Sequence, residues 1–83
     1  MILLKGHRRP IWALAFSPDG STLASSADGG LSVFLWDLAA GKKRTSLPQG
    51  PVTALAFTPD GQTLATGSAG VTLWDPATGE VVS

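Results

Sequence analysis

A chain of 83 residues is long enough for one small domain, and at that size folding buries only about 60% of the surface that the unfolded chain exposes. Six basic side chains balance six acidic ones, so nothing in the net charge recruits nucleic acid or repels it. The absence of cysteine excludes disulfides, thiolate nucleophiles and cysteine-built zinc sites together, without assigning a compartment.

Met1-Ile2-Leu3-Leu4 is too short for the core of a signal peptide and is interrupted by Lys5-Gly6-His7. No apolar run approaches the ~20 residues that a membrane helix needs. A soluble, cytoplasmic protein is expected. Residues 2–5 are predicted as a strand and Arg8-Arg9-Pro10 as a loop, in which proline fixes its own φ and removes a donor. Residues 11–17 follow as a strand whose two faces, Ile11/Ala13/Ala15 and Trp12/Leu14/Phe16, are both apolar. That is the pattern of a strand covered on both sides.

Pro18-Asp19-Gly20 has the chemistry of a turn: proline presets φ, aspartate bonds to nearby backbone and glycine accepts positive φ. Residues 22–26 are the second predicted strand, Ala27-Asp28-Gly29-Gly30 a hairpin turn, residues 31–37 the third strand and Leu38-Ala39-Ala40-Gly41 another turn. Residues 43–47 are the fourth strand, where Lys43, Arg44, Thr45 and Ser46 suit an exposed edge that resists sheet extension. Residues 52–58, 63–68 and 71–75 are again predicted strands. After the turn Pro76-Ala77-Thr78-Gly79, residues 80–83 amount to half of a further one.

The two halves are versions of one unit. Ala13-Leu14-Ala15-Phe16-Ser17-Pro18-Asp19-Gly20 matches Ala54-Leu55-Ala56-Phe57-Thr58-Pro59-Asp60-Gly61 at an offset of 41 residues, and Leu23-Ala24 and Leu64-Ala65 keep it. Leu35-Trp36-Asp37 and Leu73-Trp74-Asp75 are 38 apart, so the second unit is three residues shorter where a turn is expected. A period of about 40 residues, with several short strands and a Trp-Asp ending, is the signature of a propeller blade.

Gly6-His7, Ser17-Pro18-Asp19-Gly20, Leu23-Ala24-Ser25, Asp28-Gly29, Leu35-Trp36-Asp37 and Ala40-Gly41-Lys42, with the second set in register, give nearly the whole chain a resemblance to the WD-repeat β-propeller family. The resemblance implies an all-β fold of two four-stranded antiparallel blades, residues 8–48 and 49–83, in a single repeat domain spanning 1–83. Residues 1–7 would supply a strand to a neighbouring blade, and blade two would lack part of its outer strand. Strands 11–17 and 52–58 would be innermost, covered by blades packed face to face.

Two blades cannot close a ring, which takes at least about four. An isolated pair would expose an apolar face on each side, beyond the few hundred Å² that soluble monomers usually tolerate. A head-to-tail homo-oligomer is therefore expected, with residues 2–5 of one subunit completing the blade that ends in Val81-Val82 of the next. Three chains would make six blades and four would make eight, the tetramer being preferred over the trimer. The alternative is a piece cut from a longer repeat protein.

His7 is the only histidine, and with no cysteine it cannot assemble the three or four ligands of a zinc site. The resemblance instead implies a buried hydrogen-bond network of His7, Ser25, Asp28 and Trp36 that holds blade one. A hydrolase triad could be drawn from Ser25 or Ser26, His7 and Asp28, but nothing resembles a nucleophile elbow and the network already accounts for these side chains. Gly29-Gly30 opens no helix and is no phosphate loop. Blade two has Thr66 and Trp74, but Gln49-Gly50 stands where Gly-His would be and Ser68-Ala69-Gly70 carries no aspartate. Its turn is expected to be shorter and its blade less well specified.

Arg8 and Arg9 fall in a loop on the face that the family commonly uses for partners. They read either as solvated or as a basic ring for acidic or phosphorylated segments. Trp12, whose counterpart is Thr53, reads either as a ligand anchor or as a filler between blades. Lys42-Lys43-Arg44 reads as a solvated edge, with anionic-surface binding as the alternative. The expected function is a non-enzymatic scaffold for protein or peptide binding, with Arg8, Arg9, Pro10 and Trp12 as the ligand face. No catalytic residue, metal or cofactor is expected, and neither nucleic acid nor membrane as a partner. The alternatives are a carbohydrate-binding propeller of small subunits, against which three Trp and no Tyr weigh, and an excised or engineered pair with no evolved ligand.

Overall fold

The computed structural model describes residues 10–27 and 32–82. The expected strand at residues 2–5, the site residues His7, Arg8, Arg9 and Asp28, and residues 28–31 of the turn between the second and third predicted strands lie outside the described residues. Blade one consists of β1 (Ile11–Phe16), β2 (Thr22–Ala27), β3 (Val33–Asp37) and β4 (Lys42–Leu47), paired antiparallel in that order. Blade two repeats the arrangement with β5 (Ala54–Phe57), β6 (Leu64–Gly67), β7 (Val71–Asp75) and β8 (Glu80–Val81). Among the described residues there is no helix.

The turns close as their residue types dictate. Gly20 and Gly61 hold φ of +76° and +73°, a region open to glycine at no steric cost. Their N–H groups donate to the carbonyls of Ser17 and Thr58 at 2.9 and 2.8 Å. Each Trp-Asp aspartate organises the turn that follows it: Asp37 Oδ1 accepts from the Ala40 N–H at 3.1 Å, and Asp75 Oδ1 from the Ala77 N–H at 2.9 Å. Strand and turn are thus written in the same dipeptide.

Strand pairing sorts the side chains of each blade onto two faces. In blade one, Ala15, Ala24 and Leu35 are cross-strand partners on one face, while Phe16, Leu23 and Trp36 share the other. In blade two, Ala56, Ala65 and Leu73 correspond to the first set, and Phe57, Leu64 and Trp74 to the second. The core forms where unlike faces meet: Ala24, Val33, Leu35 and Leu47 of blade one cluster with Val52, Leu64 and Trp74, with Leu55 and Phe57 packed against them.

Within this pair of blades β1 is covered on one side, as expected of an isolated pair. Trp12, Leu14 and Phe16 are 46%, 56% and 63% exposed, because a pair of blades has one seam and blade one turns its alanine face into it. The same geometry leaves the alanine face of blade two open.

Candidate functional site

Four clusters of polar or exposed side chains stand out: a network inside each of the two blades, a cleft where the blades meet at one end, and the opposite end of β1. In blade one, Trp36 is 3% exposed and its indole Nε1–H donates to Ser25 Oγ at 2.8 Å. Ser25 is itself buried, which removes its hydroxyl from any accessible surface. The neighbouring Ser26 points to the other face; its hydroxyl is buried and has no hydrogen-bond partner among the described residues.

Blade two builds its network from a residue that the sequence pattern left without a role. Gln49 Oε1 accepts from Trp74 Nε1–H at 3.1 Å and from the Thr66 hydroxyl, and Gln49 Nε2 donates to Thr72 Oγ1 at 3.1 Å. Trp74 Nε1–H is shared with Thr66 Oγ1 at 3.0 Å. Thus the amide joins β6 and β7 through three side chains. The expectation of a poorly specified second blade overlooked that an amide offers both an acceptor and donors. The cue available in the sequence was the placement of a long amide just ahead of β5, with Thr66, Thr72 and Trp74 to meet it.

An open cleft of about 240 Å³ lies where the Pro-Asp-Gly turns of both blades approach each other, bordered by Ser17, Pro18, Asp19, Arg44, Asp60 and Pro76. Its carboxylates are already occupied. Asp19 Oδ1 accepts from the Ser21 N–H at 3.0 Å and from the hydroxyls of Ser17 and Ser21 at 2.7 and 2.8 Å, which together hold its pKa down to about 2. Asp60 is lowered in the same way by the Thr58 hydroxyl and the Gln62 N–H. Arg44 reaches across and donates to the Pro76 carbonyl at 2.6 Å, tying β4 to the turn that follows β7. The cleft is a seam between blades, and Arg44 is more than the solvated edge residue expected. Lys43 on the same strand lies with its Nζ 4.2 Å from the centroid of the Phe34 ring, a cation–π contact.

At the far end of β1, Pro10 and Trp12 are both exposed. A register shift between Ile11 and Ala13 puts Trp12 in a β-bulge, a device that re-aims a side chain. Arg8 and Arg9, the other expected members of this face, lie outside the described residues. No group of three or more His, Cys, Asp and Glu side chains converges among the described residues.

The profile of the WD domain, G-beta repeat, matches residues 1–37 and again residues 41–75. The chain belongs to the WD40 repeat family. Over 47 residues, 57% of its length, it is 49% identical to the small ribosomal subunit protein RACK1z of Oryza sativa subsp. japonica, of which it covers 14%. Over 33 residues, 40% of its length, it is 61% identical to a probable cytosolic Fe-S cluster assembly factor of Schizosaccharomyces pombe, of which it covers 5%. The structure of U3-55K superposes on 95% of the chain with a TM-score of 0.84 and 26% identity, the match taking up 27% of that chain. The chain therefore spans a small share of the length of each relative. In WD40 terms, Trp36-Asp37 and Trp74-Asp75 close the third strands of two successive blades.

Proposed function

We propose that this WD40 pair is a non-enzymatic scaffold that binds a protein or peptide segment at the Pro10–Trp12 end of β1 and completes its propeller by head-to-tail self-association. The observation that carries the binding site is Trp12, which is 46% exposed, set in a bulge and absent from the core cluster. A half-exposed indole is a rigid, amphipathic anchor of the kind that dominates protein interfaces. Arg8 and Arg9 directly precede this end in the sequence, which suits an acidic or phosphorylated segment. A relative named for the small ribosomal subunit is part of a larger assembly, and another is named as cytosolic; both accord with a scaffold working in the cytoplasm.

Under this proposal residues 8–48 and 49–83 are the two blades and residues 1–7 serve a neighbouring one. The open blade faces support self-association, with three or four chains per ring. Selection from a displayed library of acidic and phosphorylated peptides tests the binding site. Peptides that bind the wild type are expected to bind Trp12→Ala at least about tenfold more weakly, a loss of about 1.4 kcal/mol. Peptides insensitive to Trp12→Ala, or the absence of any binder, would overturn the site. Sedimentation across a dilution series tests assembly: a sharp trimer or tetramer is expected, and a monomer at every concentration would refute it.

A further inference from the structure

The outer strands of the two units occupy the same place with different chemistry. Gly41 and Gly79 close equivalent turns, so Lys42, Lys43 and Arg44 of β4 stand where the second unit has Glu80, Val81 and Val82. The blade fold therefore does not require consecutive cations at these positions. All three are exposed, and none forms an ion pair among the described residues. Strand β4 is six residues long and pairs with β3 on one side only, so along its other side a row of backbone N–H and C=O groups meets no strand among the described residues.

Two of the cations are held in place, one on each face of the sheet. The Lys43 ammonium lies 4.2 Å from the centroid of the Phe34 ring, on the face that also carries Trp36. Arg44 leans the other way, to the face whose Leu35 enters the seam, and donates to the Pro76 carbonyl of blade two. That bond uses one of its five N–H groups. Lys43 pairs with Trp36 and Thr45 with Leu35, which makes Arg44 the extra residue of a bulge and frees it from a partner on β3.

An extended strand lays successive side chains on opposite faces of its sheet. A peptide added along the open edge of β4 would thus present neighbouring residues to Lys43 and to Arg44 in turn. A single small anion cannot reach both, because the sheet lies between them. We infer that this edge receives an extended acidic peptide as a fifth strand of blade one, with adjacent Asp or Glu residues meeting Lys43 on one face and Arg44 on the other. Lysine on an edge ordinarily discourages strand addition. Carboxylates at the matching positions turn that barrier into selection for an acidic strand, and main-chain hydrogen bonds supply the attachment. The surface lies across the blade from Pro10 and Trp12 at β1 and is a separate site.

The probe is a fluorescein-labelled, end-capped octapeptide of β-branched residues with two adjacent glutamates at its centre, titrated with the chain and followed by fluorescence anisotropy. Saturable binding is expected, and Lys43→Gln and Arg44→Gln are each expected to weaken it about two- to fivefold, the range of one exposed ion pair. Lys43→Glu is expected to bind more weakly still and to recover with a probe in which one glutamate is replaced by lysine. Moving one glutamate by a single position puts both carboxylates on one face and should cost as much as losing one ion pair. N-methylation of alternate peptide amides should abolish binding in one alternation and spare it in the other, since only every second N–H points to the neighbouring strand. Equal affinity for the adjacent and the spaced probes, or indifference to N-methylation in both alternations, would overturn the strand addition in favour of diffuse charge attraction. Binding that ignores both Lys43→Gln and Arg44→Gln would place the peptide elsewhere and overturn the site, as would the absence of binding at the highest soluble concentration. Cosedimentation with phosphatidylserine vesicles in place of peptide binding would assign the edge to a membrane surface and overturn it equally.

Discussion

The side-chain amide of Gln49 and the indole of Trp74 are joined at 3.1 Å, from Nε1–H to Oε1, across 25 positions of sequence. This bond draws the segment ahead of β5 onto β7, and its amide partners Thr66 and Thr72 bring in β6 as well. Gln49→Leu should therefore loosen blade two in particular. It leaves the Thr72 hydroxyl without this donor and Trp74 with Thr66 alone. A loss of about 1–3 kcal/mol is expected in urea unfolding followed by tryptophan fluorescence. An unchanged midpoint would show that the amide is not what holds the blade.

Arg44 and Pro76 couple the blades at the outer seam. Arg44→Met keeps the aliphatic stem and removes the donor. Because the Arg44 side chain is largely exposed, the expected cost is modest, about 0.5–1.5 kcal/mol, read as a lower denaturation midpoint at unchanged slope. A wild-type midpoint would return Arg44 to the status of a solvated edge residue.

Ser26 is 1% exposed, carries a hydroxyl with no partner among the described residues, and corresponds to Gly67 in the second unit. Ser26→Ala removes a desolvated polar group while keeping the Cβ. Stabilisation of up to about 1 kcal/mol is expected, equivalent to roughly 4–8 °C in Tm for a domain of this size. A fall in Tm would reveal a partner for the hydroxyl.

Asp19 links stability to acid. Its folded pKa is held down to about 2, from an ordinary 3.8, first by the Ser21 N–H and then by the Ser17 and Ser21 hydroxyls. A group depressed on folding contributes fully above its unfolded value and loses that contribution as pH falls through the folded one. Asp60 is shifted in the same direction. Wild-type stability should thus fall as pH drops from 3.8 to about 2, and Asp19→Asn should flatten part of that slope. Urea midpoints across this range check it; an identical slope in the variant would show that the turn hydrogen bonds do not favour the carboxylate.

Much of this architecture is legible in the chain itself, since the information is local and repeated. Pro18-Asp19-Gly20 and Pro59-Asp60-Gly61 specify their turns through φ preferences and a carboxylate two residues from the N–H it accepts. The strands between them follow from short apolar runs, and the two occurrences of Trp-Asp reveal the unit. The role of Gln49 was not legible. A glutamine adjoining a Pro-Gly-rich connection gives no hint of where its amide will point until β6 and β7 pair and bring Thr66, Thr72 and Trp74 beneath it.

By itself, the sequence determined the two four-stranded units and their Pro-Asp-Gly turns, because strand period and turn chemistry act over a few residues; the burial of Trp36 was implied by the family resemblance alone. Only the tertiary structure decided which face of each blade is covered. Both faces of β1 are apolar, so hydrophobicity along the strand favours neither; the seam goes to the alanine face of blade one because the bulky face of blade two is the surface that fills it. The same packing brings the Arg44 guanidinium to the Pro76 carbonyl, 32 positions away, a contact that exists only where the two blades meet.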